Sequence, residues 1–334
     1  MDSLAGGVTR AAVWTGAGTA VREVPLPAPG PGATLVRVAL ATVCGSDLHT
    51  VSGRRPGPCP SVLGHEAVGR VVAGGPFPAG TRVVWSVTAS CGDCARCRVG
   101  FTAKCERVRK VGHEPFAGEW PLSGAYAEHI LLPAGVAVVA VPEQLPDAVA
   151  APAGCATATV MAALEAAGEL AGRRVLVTGA GMLGLTAAAA CVARGAEVVV
   201  ADPDPERLAV AAAFGGLPDD GGPVDVALEF SGAPSAVAAA PGRLAFGGTL
   251  VLVGSVTPGP AVPVDPEAVV RGWLTITGVH NYEPRHLHEA VAFLDATRDR
   301  YPWASVVAPP VALAAVETVL VPPPPGLLRA SIAP

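Results

Sequence analysis

The pattern of apolar and polar positions changes character near residue 155. Before that point, short apolar runs such as residues 11–14, 35–40 and 82–85 are separated by Pro and Gly. This pattern is typical of β-strands joined by turns, and the alternation within residues 35–40 predicts a half-exposed strand. A further strand is predicted over residues 124–132. The first third of the chain therefore predicts a mostly β domain of Greek-key or barrel character.

After residue 155, apolar strands alternate with Ala-rich helical stretches, which indicates a parallel α/β sheet. Strands are predicted at residues 174–178, 197–202, 224–230, 248–253 and 274–278. Only nine residues separate Phe214 from Val224, too few for another strand and its crossover helix. We therefore expect a shortened sheet of five main strands, then a helix over about residues 285–297. Residues 327–332 are expected to rejoin the sheet of the first domain.

The turn between the first α/β strand and its helix carries a GxGxxG pattern, which places these residues at a predicted dinucleotide site: Gly179, Gly181, Met182, Leu183 and Gly184. Glycines in this context let the backbone approach a pyrophosphate at the helix N-terminus. The second strand ends at Asp202, whose carboxylate would accept hydrogen bonds from ribose hydroxyls and repel a 2′-phosphate. No Arg follows immediately, so the sequence favours NAD over NADP.

Composition narrows the class of protein. The 334 residues are 51% hydrophobic and 15% charged, with a net charge of −5. The length predicts two domains, and the acidic balance argues against nucleic-acid binding. Residues 1–4 lack a basic, apolar leader, and no apolar run reaches membrane-spanning length. We therefore expect a cytoplasmic protein with no membrane partner.

Residues 42–49 and 64–66 bring a thiol, an imidazole and a carboxylate close together in sequence. Thiolate and imidazole are usual zinc ligands, and a catalytic zinc keeps one position open. Cys44 and His65 would be two ligands, and Glu66 an adjacent or alternative one. Ser46 and His49 indicate a path for a proton. Alternatively, Cys44 packs in a core and His65 caps a turn.

Cys155 lies where the chain changes character, before an Ala-rich helix. A thiol at this junction could complete the site of Cys44 and His65 as a third protein ligand. Taken alone, Cys155 is more simply a small buried apolar side chain. The sequence leaves both interpretations open.

A second group of thiols falls in a polar loop, at Cys91, Cys94, Cys97 and Cys105. Four cysteines at this spacing can surround one ion, and closed coordination by four thiolates is typical of structural zinc. An iron–sulfur cluster and a disulfide pair are the alternatives, the latter disfavoured without an export signal. Cys59 and Cys191 are not expected to be ligands.

Together these motifs resemble the zinc-dependent alcohol dehydrogenases of the medium-chain dehydrogenase/reductase superfamily, over essentially the whole chain. The resemblance implies a GroES-like β catalytic domain at 1–155 and a Rossmann domain that binds NAD at 156–282. Residues 283–334 would return to the catalytic domain. It implies hydride transfer between a small-molecule alcohol and NAD by a homodimer or homotetramer.

The resemblance also assigns roles to individual residues. Cys44, His65 and Cys155 would hold the catalytic zinc with Glu66 close by, and the four-cysteine loop a structural zinc. Asp47 would orient His65, and Ser46 and His49 would relay the proton. Thr159 would pack near the nicotinamide and Arg207 near the adenosine ribose.

Residues 43–49, 85–91, 110–114 and 155–160 further resemble a bacterial subgroup labelled phosphonate-catabolism-associated alcohol dehydrogenases. That likeness implies a polyol, a cyclitol or a secondary alcohol bearing phosphonate or phosphate. Arg54, Arg55, Lys110 and His113 would then lie near the mouth of the substrate cleft, where they could bind an anion. The alternative is that these are solvated loop charges. Two departures from the family pattern are Gly45, where several members carry a basic residue, and the shortened cofactor domain.

Two other functions remain possible on the same fold. One is a zinc-free quinone or enone reductase, which the presence of Cys44, His65 and Cys155 disfavours. The other is a non-catalytic protein that senses dinucleotides, which Ser46 and His49 disfavour. Metal content separates them, since a dehydrogenase would hold about two zinc ions per chain and the others about one. The remaining histidines are expected in the core or on the surface: His129, His280, His286 and His288.

Overall fold

The computed structural model describes residues 7–334, which form two compact units. Of these residues, the first unit comprises 7–155, Glu283–Arg298 and Trp303–Pro334, and the second comprises Ala156–Tyr282 and Asp299–Pro302. The sequence expectation about a leader at residues 1–4 falls outside the described residues.

The first unit is mostly β. Its strands are β1 (Val8–Trp14), β2 (Thr19–Pro25), β3 (Thr34–Thr42), β4 (Ser61–Val62), β5 (Glu66–Gly74), β6 (Arg82–Ala89), β7 (Arg109–Lys110), β8 (His129–Leu132), β9 (Val136–Ala140), β16 (Val307–Ala312) and β17 (Arg329–Ala333). Its α-helices are α1 (Gly45–Val51), α2 (Ala95–Arg98), α3 (Asp147–Ala150) and α9 (Pro284–Thr297). Short 3₁₀ turns complete it at Thr102–Lys104, Ala151–Gly154, Trp303–Val306 and Leu313–Val319.

Strand β3 is the centre of the larger sheet in this unit, because β5, β8 and β17 all pair with it. The predicted alternation holds in the middle of the strand, where Arg37 and Ala39 are exposed and Val36, Val38 and Leu40 are buried. Both ends of β3 are buried, since the pairing strands and the core cover them. The strand predicted over residues 124–132 is shorter, because residues 125–128 make isolated hydrogen bonds to β1, β3 and residues 63–64, and only His129–Leu132 forms a ladder.

The closing strand β17 carries the C-terminal residues back into this sheet, as the sequence predicts. It runs antiparallel to β3, with Ser331 opposite Thr42. On its other side, β3 pairs with β5, where Thr42 lies opposite Glu66. The start of β17, the end of β3 and the start of β5 therefore meet at one edge of the sheet.

The second unit is a parallel α/β layer. Its strands are β10 (Arg174–Thr178), β11 (Glu197–Ala201), β12 (Leu217–Pro218), β13 (Val224–Glu229), β14 (Leu244–Leu252) and β15 (Thr275–Gly278). Its helices are α4 (Ala156–Ala167), α5 (Met182–Ala193), α6 (Pro205–Ala213), α7 (Pro234–Ala239) and α8 (Pro266–Gly272), with a 3₁₀ turn at Ala240–Arg243. The strand order β12-β11-β10-β13-β14-β15 is that of the Rossmann fold.

The sheet has five main strands, as expected, and a sixth of only two residues. The strand β12 pairs in parallel with β11, with Val199 opposite Leu217. The sequence argument left no room for a strand and a crossover helix after Phe214. Helix α6, which ends just before Phe214, is itself that crossover, so β12 needs no further helix before it.

Within residues 7–334, no single helix is long and apolar enough to cross a membrane. One bent pair of helical segments, Asp147–Gly154 and Ala156–Ala167, passes the test of length and composition when taken together.

Candidate active site and metal centres

The loop after β3 fixes the thiol of Cys44 through the start of helix α1. Cys44 is the N-cap residue of that helix. Its backbone N–H donates to Asp47 Oδ2 at 3.0 Å. This local bond satisfies a helix-terminal N–H and fixes the position of Asp47. The sequence Cys-Gly-Ser-Asp therefore determines the local geometry of both residues.

A glycine brings His65 to the same place. Gly64 has φ +93°, and a Cβ there would lie 2.5 Å from the ring of Tyr126. A larger residue would be strained and would displace that buried ring. The hydroxyl of Tyr126 donates to Asp47 Oδ2 at 3.0 Å. Tyr126 thus links the loop before His65 to the carboxylate beside it.

Asp47 and Ser46 flank the two ring nitrogens of His65. Asp47 Oδ1 lies 3.3 Å from His65 Nδ1, and Ser46 Oγ lies 3.2 Å from His65 Nε2. Neither Asp47 Oδ1 nor His65 Nδ1 has an aligned hydrogen-bond partner elsewhere in the described part of the chain. A carboxylate facing Nδ1 orients the ring and leaves Nε2 as the nitrogen that can bind a metal.

Cys44, His65, Glu66 and Cys155 offer four ligand atoms that all lie within 4.8 Å of one another. Two thiols, an imidazole and a carboxylate are a donor set that zinc accepts. Cys155 is therefore close to the other predicted ligands despite its distance in sequence. The residues present fit a zinc ion.

The charges of the two thiols differ. The pKa of the Cys44 thiol lies well below its ordinary value, first because of its hydrogen bond with Cys155 and also because Arg329 is near. The same hydrogen bond, together with burial, raises the pKa of Cys155 well above its ordinary value. The pair therefore holds one negative charge, which prepares the site for a cation.

Asp47 and His65 also stabilise each other as ions. Burial lowers the pKa of His65, but the charge and hydrogen bond of Asp47 together with Cys44 outweigh it, so the pKa lies well above its ordinary value. Burial raises the pKa of Asp47, but the charge and hydrogen bond of His65, with His113, outweigh it, so the net shift is downward. This mutual attraction fixes the orientation of the ring.

Arg329 is a site residue that the sequence analysis missed. Its guanidinium donates from Nε to Glu66 Oε2 at 2.7 Å and from Nη2 to Glu66 Oε1 at 2.9 Å. Thr42 Oγ1 donates to Oε2 as well, at 2.8 Å, and Arg329 Nη2 lies 3.8 Å from Cys44 Sγ. Both Glu66 and Arg329 are buried. Burial raises the pKa of Glu66, although Arg329 opposes that shift.

One sequence signal could have revealed Arg329. It is the only charged residue in the apolar closing segment at 327–333, and a buried arginine needs a carboxylate partner. The partner could not be identified from sequence, because Glu66 lies 263 positions away.

The other predicted catalytic residues, Ser46 and His49, both lie on helix α1. Ser46 contacts His65, as described above. His49 is half-buried on α1, and no hydrogen bond joins its side chain to Ser46 within the described residues. The predicted relay between these two side chains stays a prediction.

The four-cysteine loop forms a second cluster, in which all ligand atoms lie within 4.8 Å of one another. The Sγ atoms of Cys91 and Cys97 are 3.9 Å apart, as are those of Cys94 and Cys105, and Cys91 and Cys105 are 3.3 Å apart. Zn–S bonds of about 2.3 Å in a tetrahedron require sulfur separations of about 3.8 Å. All eight cysteines are free thiols, so the geometry favours a metal over a disulfide pair. Cys59 and Cys191 belong to neither cluster.

The GxGxxG turn lies beside a cavity of ≈ 790 Å³ in the second unit, lined among others by Gly179, Gly181, Asp202 and Arg207. A Cβ on Gly184 would lie 1.8 Å from the carbonyl oxygen of Gly179, so this glycine allows the turn and α5 to pack. Gly181 caps α5 and has open space where a Cβ would be. That space and the helix N-terminus suit a pyrophosphate.

The other residues predicted to bind the cofactor lie at the cavity wall or on helices α4 and α5. Asp202 accepts hydrogen bonds from the backbone N–H of Ala180 at 2.7 Å and of Asp204 at 2.9 Å, so its carboxylate is fixed at the cavity wall. Met182 is buried and Leu183 is half-buried on α5, and Thr159 is half-buried on α4.

These features can now be compared with known proteins. Residues 30–143 match the family model described as the alcohol dehydrogenase GroES-like domain. An L-threonine 3-dehydrogenase of Edwardsiella ictaluri is 34% identical over 291 residues, which are 78% of this chain and 80% of the relative. A 5-exo-hydroxycamphor dehydrogenase of Pseudomonas putida is 30% identical over 318 residues, 85% of this chain and 87% of the relative. The chain belongs to the zinc-dependent alcohol dehydrogenase family.

Solved structures agree with this assignment. The alcohol dehydrogenase of Thermotoga maritima has a TM-score of 0.90 at 26% identity, covering 98% of this chain and 100% of that one. The alcohol dehydrogenase of Thermus sp. ATN1 has a TM-score of 0.86 at 28% identity, covering 97% and 99%. The predicted GroES-like and Rossmann-type fold of this dehydrogenase is confirmed. The dehydrogenase is an oxidoreductase of the type that works with zinc and a nicotinamide cofactor.

The four-cysteine loop of the dehydrogenase leads to a first prediction. Cys97→Ser should lower zinc content from about two ions per chain to about one and lower the melting temperature, because metal binding stabilises a loop with little apolar surface. Metal analysis and thermal unfolding measure both. Cys59→Ser, which changes an exposed thiol outside both clusters, is the control and should alter neither. Unchanged zinc content in Cys97→Ser would refute the structural site.

Proposed function

We propose that this protein oxidises a polar secondary alcohol with NAD, or reduces the corresponding carbonyl with NADH. The observation that carries the proposal is the buried cluster of Cys44, His65 and Cys155 beside Glu66. When bound, zinc supplies Lewis acidity that lowers the pKa of an alcohol and polarises a carbonyl. Cys44, His65 and Cys155 would be its protein ligands, and Glu66, which Arg329 binds through both oxygens, would stay beside the site.

The chain's own residues position and deprotonate the substrate. Asp47 holds His65 in one orientation through the ion pair at Nδ1. Ser46 Oγ lies 3.2 Å from His65 Nε2, the nitrogen that would bind zinc, so the hydroxyl would stand beside the metal and could accept the substrate proton. We propose that His49, three residues later on α1, passes that proton on to solvent.

The cofactor half of the proposal rests on the second unit. The open space at Gly181 would admit the pyrophosphate at the start of α5, and Asp202 would accept hydrogen bonds from the adenosine ribose. Both Asp202 oxygens already accept backbone N–H bonds, but each carboxylate oxygen can accept a second bond. Arg207 would lie near the same ribose, and Thr159 near the nicotinamide. Residues 1–155 and 283–334 would form the catalytic domain and residues 156–282 the NAD-binding domain.

The preference for NAD over NADP gives a second prediction. Asp202→Gly combined with Pro203→Arg should reverse the preference, because the variant removes the charge that repels a 2′-phosphate and adds one that attracts it. The ratio of kcat/KM for the two cofactors measures it. The variant changes two interactions with the 2′-phosphate, each worth about tenfold, so the ratio of kcat/KM should shift roughly a hundredfold. A wild-type enzyme that already works better with NADP would contradict the assignment of Asp202.

We further propose that the substrate is a polyol, a cyclitol or a secondary alcohol bearing phosphonate or phosphate. The two curated relatives described above are named for L-threonine and 5-exo-hydroxycamphor, one a charged hydroxy amino acid and the other an apolar alcohol. The names therefore leave the substrate class open. A panel of cyclitols, hydroxyphosphonates, sugar phosphates and small neutral alcohols, followed by NADH absorbance, would decide the substrate class.

We propose a cytoplasmic homodimer or homotetramer, which light scattering after gel filtration would test.

Two features of the site argue against the alternative functions. A zinc-free quinone or enone reductase has no use for the cluster of Cys44, His65 and Cys155. A protein that only senses dinucleotides has no use for a serine beside the zinc-binding nitrogen of His65. Zinc content of about one ion per chain together with absent turnover would favour these alternatives.

A further inference from the structure

A group of cationic side chains lies directly beside the metal-binding histidine. The ring of His113 is tilted by 36° against that of His65, with 5.3 Å between the ring centroids. Arg55 Nη1 lies 3.4 Å from His113 Nε2 and can donate a hydrogen bond to it. His113, Arg55 and His65 thus form a continuous row that leads away from the predicted zinc.

The backbone holds Arg55 in this row. Its N–H donates to the carbonyl oxygen of His49 at 3.0 Å, near the end of helix α1, which begins after Cys44. Arg55 is half-buried, whereas its neighbour Arg54 is exposed. The sequence could not distinguish these two arginines, but the structure directs only Arg55 to the metal centre.

Lys110 brings a second positive charge near the row, since the backbone N–H of His113 donates to the carbonyl oxygen of Lys110 at 3.1 Å. It is half-buried at the end of β7, and its pKa is lowered by burial and by the charge of Arg55. His113 Nε2 faces Arg55 Nη1, so the ring can accept a hydrogen bond from the guanidinium.

No carboxylate pairs with the side chain of Arg55 or of Lys110 within residues 7–334. The nearby carboxylate of Glu114 accepts instead from the backbone N–H of Lys110, at 2.8 Å, and Asp47 faces His65. Like charges that repel each other in a half-buried place are stabilised when an anion binds between them. The positive charges of this row lack such a partner.

We propose that Arg55 and Lys110 bind an anionic group of the substrate, with His113 holding the guanidinium in place. The inference rests on the proposed alcohol dehydrogenase function and identifies its substrate class. A guanidinium presents paired donors that match a carboxylate, a phosphonate or a phosphate. Because only the ring of His113 separates Arg55 from His65, the anionic group belongs a few bonds from the carbinol carbon. The substrate is therefore a short hydroxy acid or hydroxyphosphonate.

Direct binding tests the site without turnover. Methylphosphonate is titrated by calorimetry into the zinc-loaded protein saturated with NAD. Arg55→Gln, which keeps a donor for His113 and removes the charge, should weaken binding about ten- to a hundredfold. Arg54→Gln is the matched control and should bind as the wild type does, and Lys110→Gln should weaken binding in the same direction as Arg55→Gln. Equal affinity in Arg55→Gln and the wild type would place the anion elsewhere and overturn the inference.

Matched substrates then separate this inference from the proposed function. 3-Hydroxybutyrate and 2-hydroxypropylphosphonate are compared with the neutral alcohol 2-butanol. Arg55→Gln should raise KM for both anionic alcohols about ten- to a hundredfold with kcat retained, because binding is lost equally in ground and transition states. KM for 2-butanol should not change. A preference for one anionic alcohol identifies carboxylate or phosphonate as the natural group.

The outcomes are distinguishable. Turnover of 2-butanol with no effect of Arg55→Gln on any substrate overturns the anion site and leaves the dehydrogenase function intact. Binding of methylphosphonate that depends on Arg55, with no turnover of any alcohol, supports the anion site and refutes the proposed function. An equal loss of kcat on charged and neutral alcohols in Arg55→Gln would show that Arg55 supports the metal centre, and would also overturn the inference.

Discussion

Cys155→Ser is expected to lower kcat/KM for the best alcohol roughly a thousandfold while the protein remains folded. Lewis-acid stabilisation by a bound zinc is worth several kcal/mol, and about 4 kcal/mol corresponds to that factor. Serine nearly preserves the shape of cysteine but is a weak zinc ligand at neutral pH. Zinc content should fall as well, because the site would keep only Cys44 and His65 of its three strong ligands. NADH absorbance and zinc analysis measure the two effects.

A buried thiol elsewhere provides the control. Cys191 lies inside α5, belongs to neither thiol cluster, and burial raises its pKa to about 12. Cys191→Ala should therefore retain both zinc ions and nearly full turnover. If Cys155→Ser kept its zinc content and its turnover, Cys155 would be the small buried side chain that the sequence also allowed.

The motifs that could be predicted are those whose chemistry is local. The four cysteines fall within fifteen positions, from Cys91 to Cys105, and the GxGxxG turn lies between one strand and one helix. In each motif, the spacing of the residues alone limits which ligand they can bind. The parallel α/β class of the second unit followed in the same way, from the alternation of strands and helices along the chain.

The parts that could not be predicted depend on contacts between distant segments. Tyr126 hydrogen-bonds to Asp47 across 79 positions, and nothing in the sequence near Tyr126 indicates a polar partner. The choice between Arg54 and Arg55 depends on which way one loop turns after α1. The complete burial of the two ends of β3 could not be predicted either, because the pattern reports the strand and not the neighbours that cover it.

The pair of Arg329 and Glu66 is the long-range contact with the largest expected effect on stability. Arg329→Met should leave the carboxylate of Glu66 buried with Thr42 as its remaining donor. Breaking a buried ion pair by removing one partner costs about 3–5 kcal/mol. In a domain of about 200 residues this loss lowers the melting temperature by roughly 6–20 °C. Differential scanning calorimetry of the zinc-loaded protein measures it.

An exposed ion pair with comparable geometry is the matched control. Arg70 donates to both oxygens of Glu143, at 2.8 and 2.6 Å, but both side chains are about half exposed or more. Exposed pairs contribute about 0–1 kcal/mol, so Arg70→Met should hardly change the melting temperature. A similar small change in both variants would show that burial adds nothing to the pair of Arg329 and Glu66.

A second substitution and the pH separate lost charge pairing from lost packing. Arg329→Met with Glu66→Gln should be more stable than Arg329→Met alone, because the double variant leaves no unpaired buried charge. Burial already raises the pKa of Glu66 in the intact protein, and without Arg329 it should rise further. A carboxyl group with a raised pKa in the folded state favours folding when it is protonated. The deficit of Arg329→Met should therefore shrink as the pH falls through that pKa, whereas a deficit that stays constant with pH would assign the loss to packing.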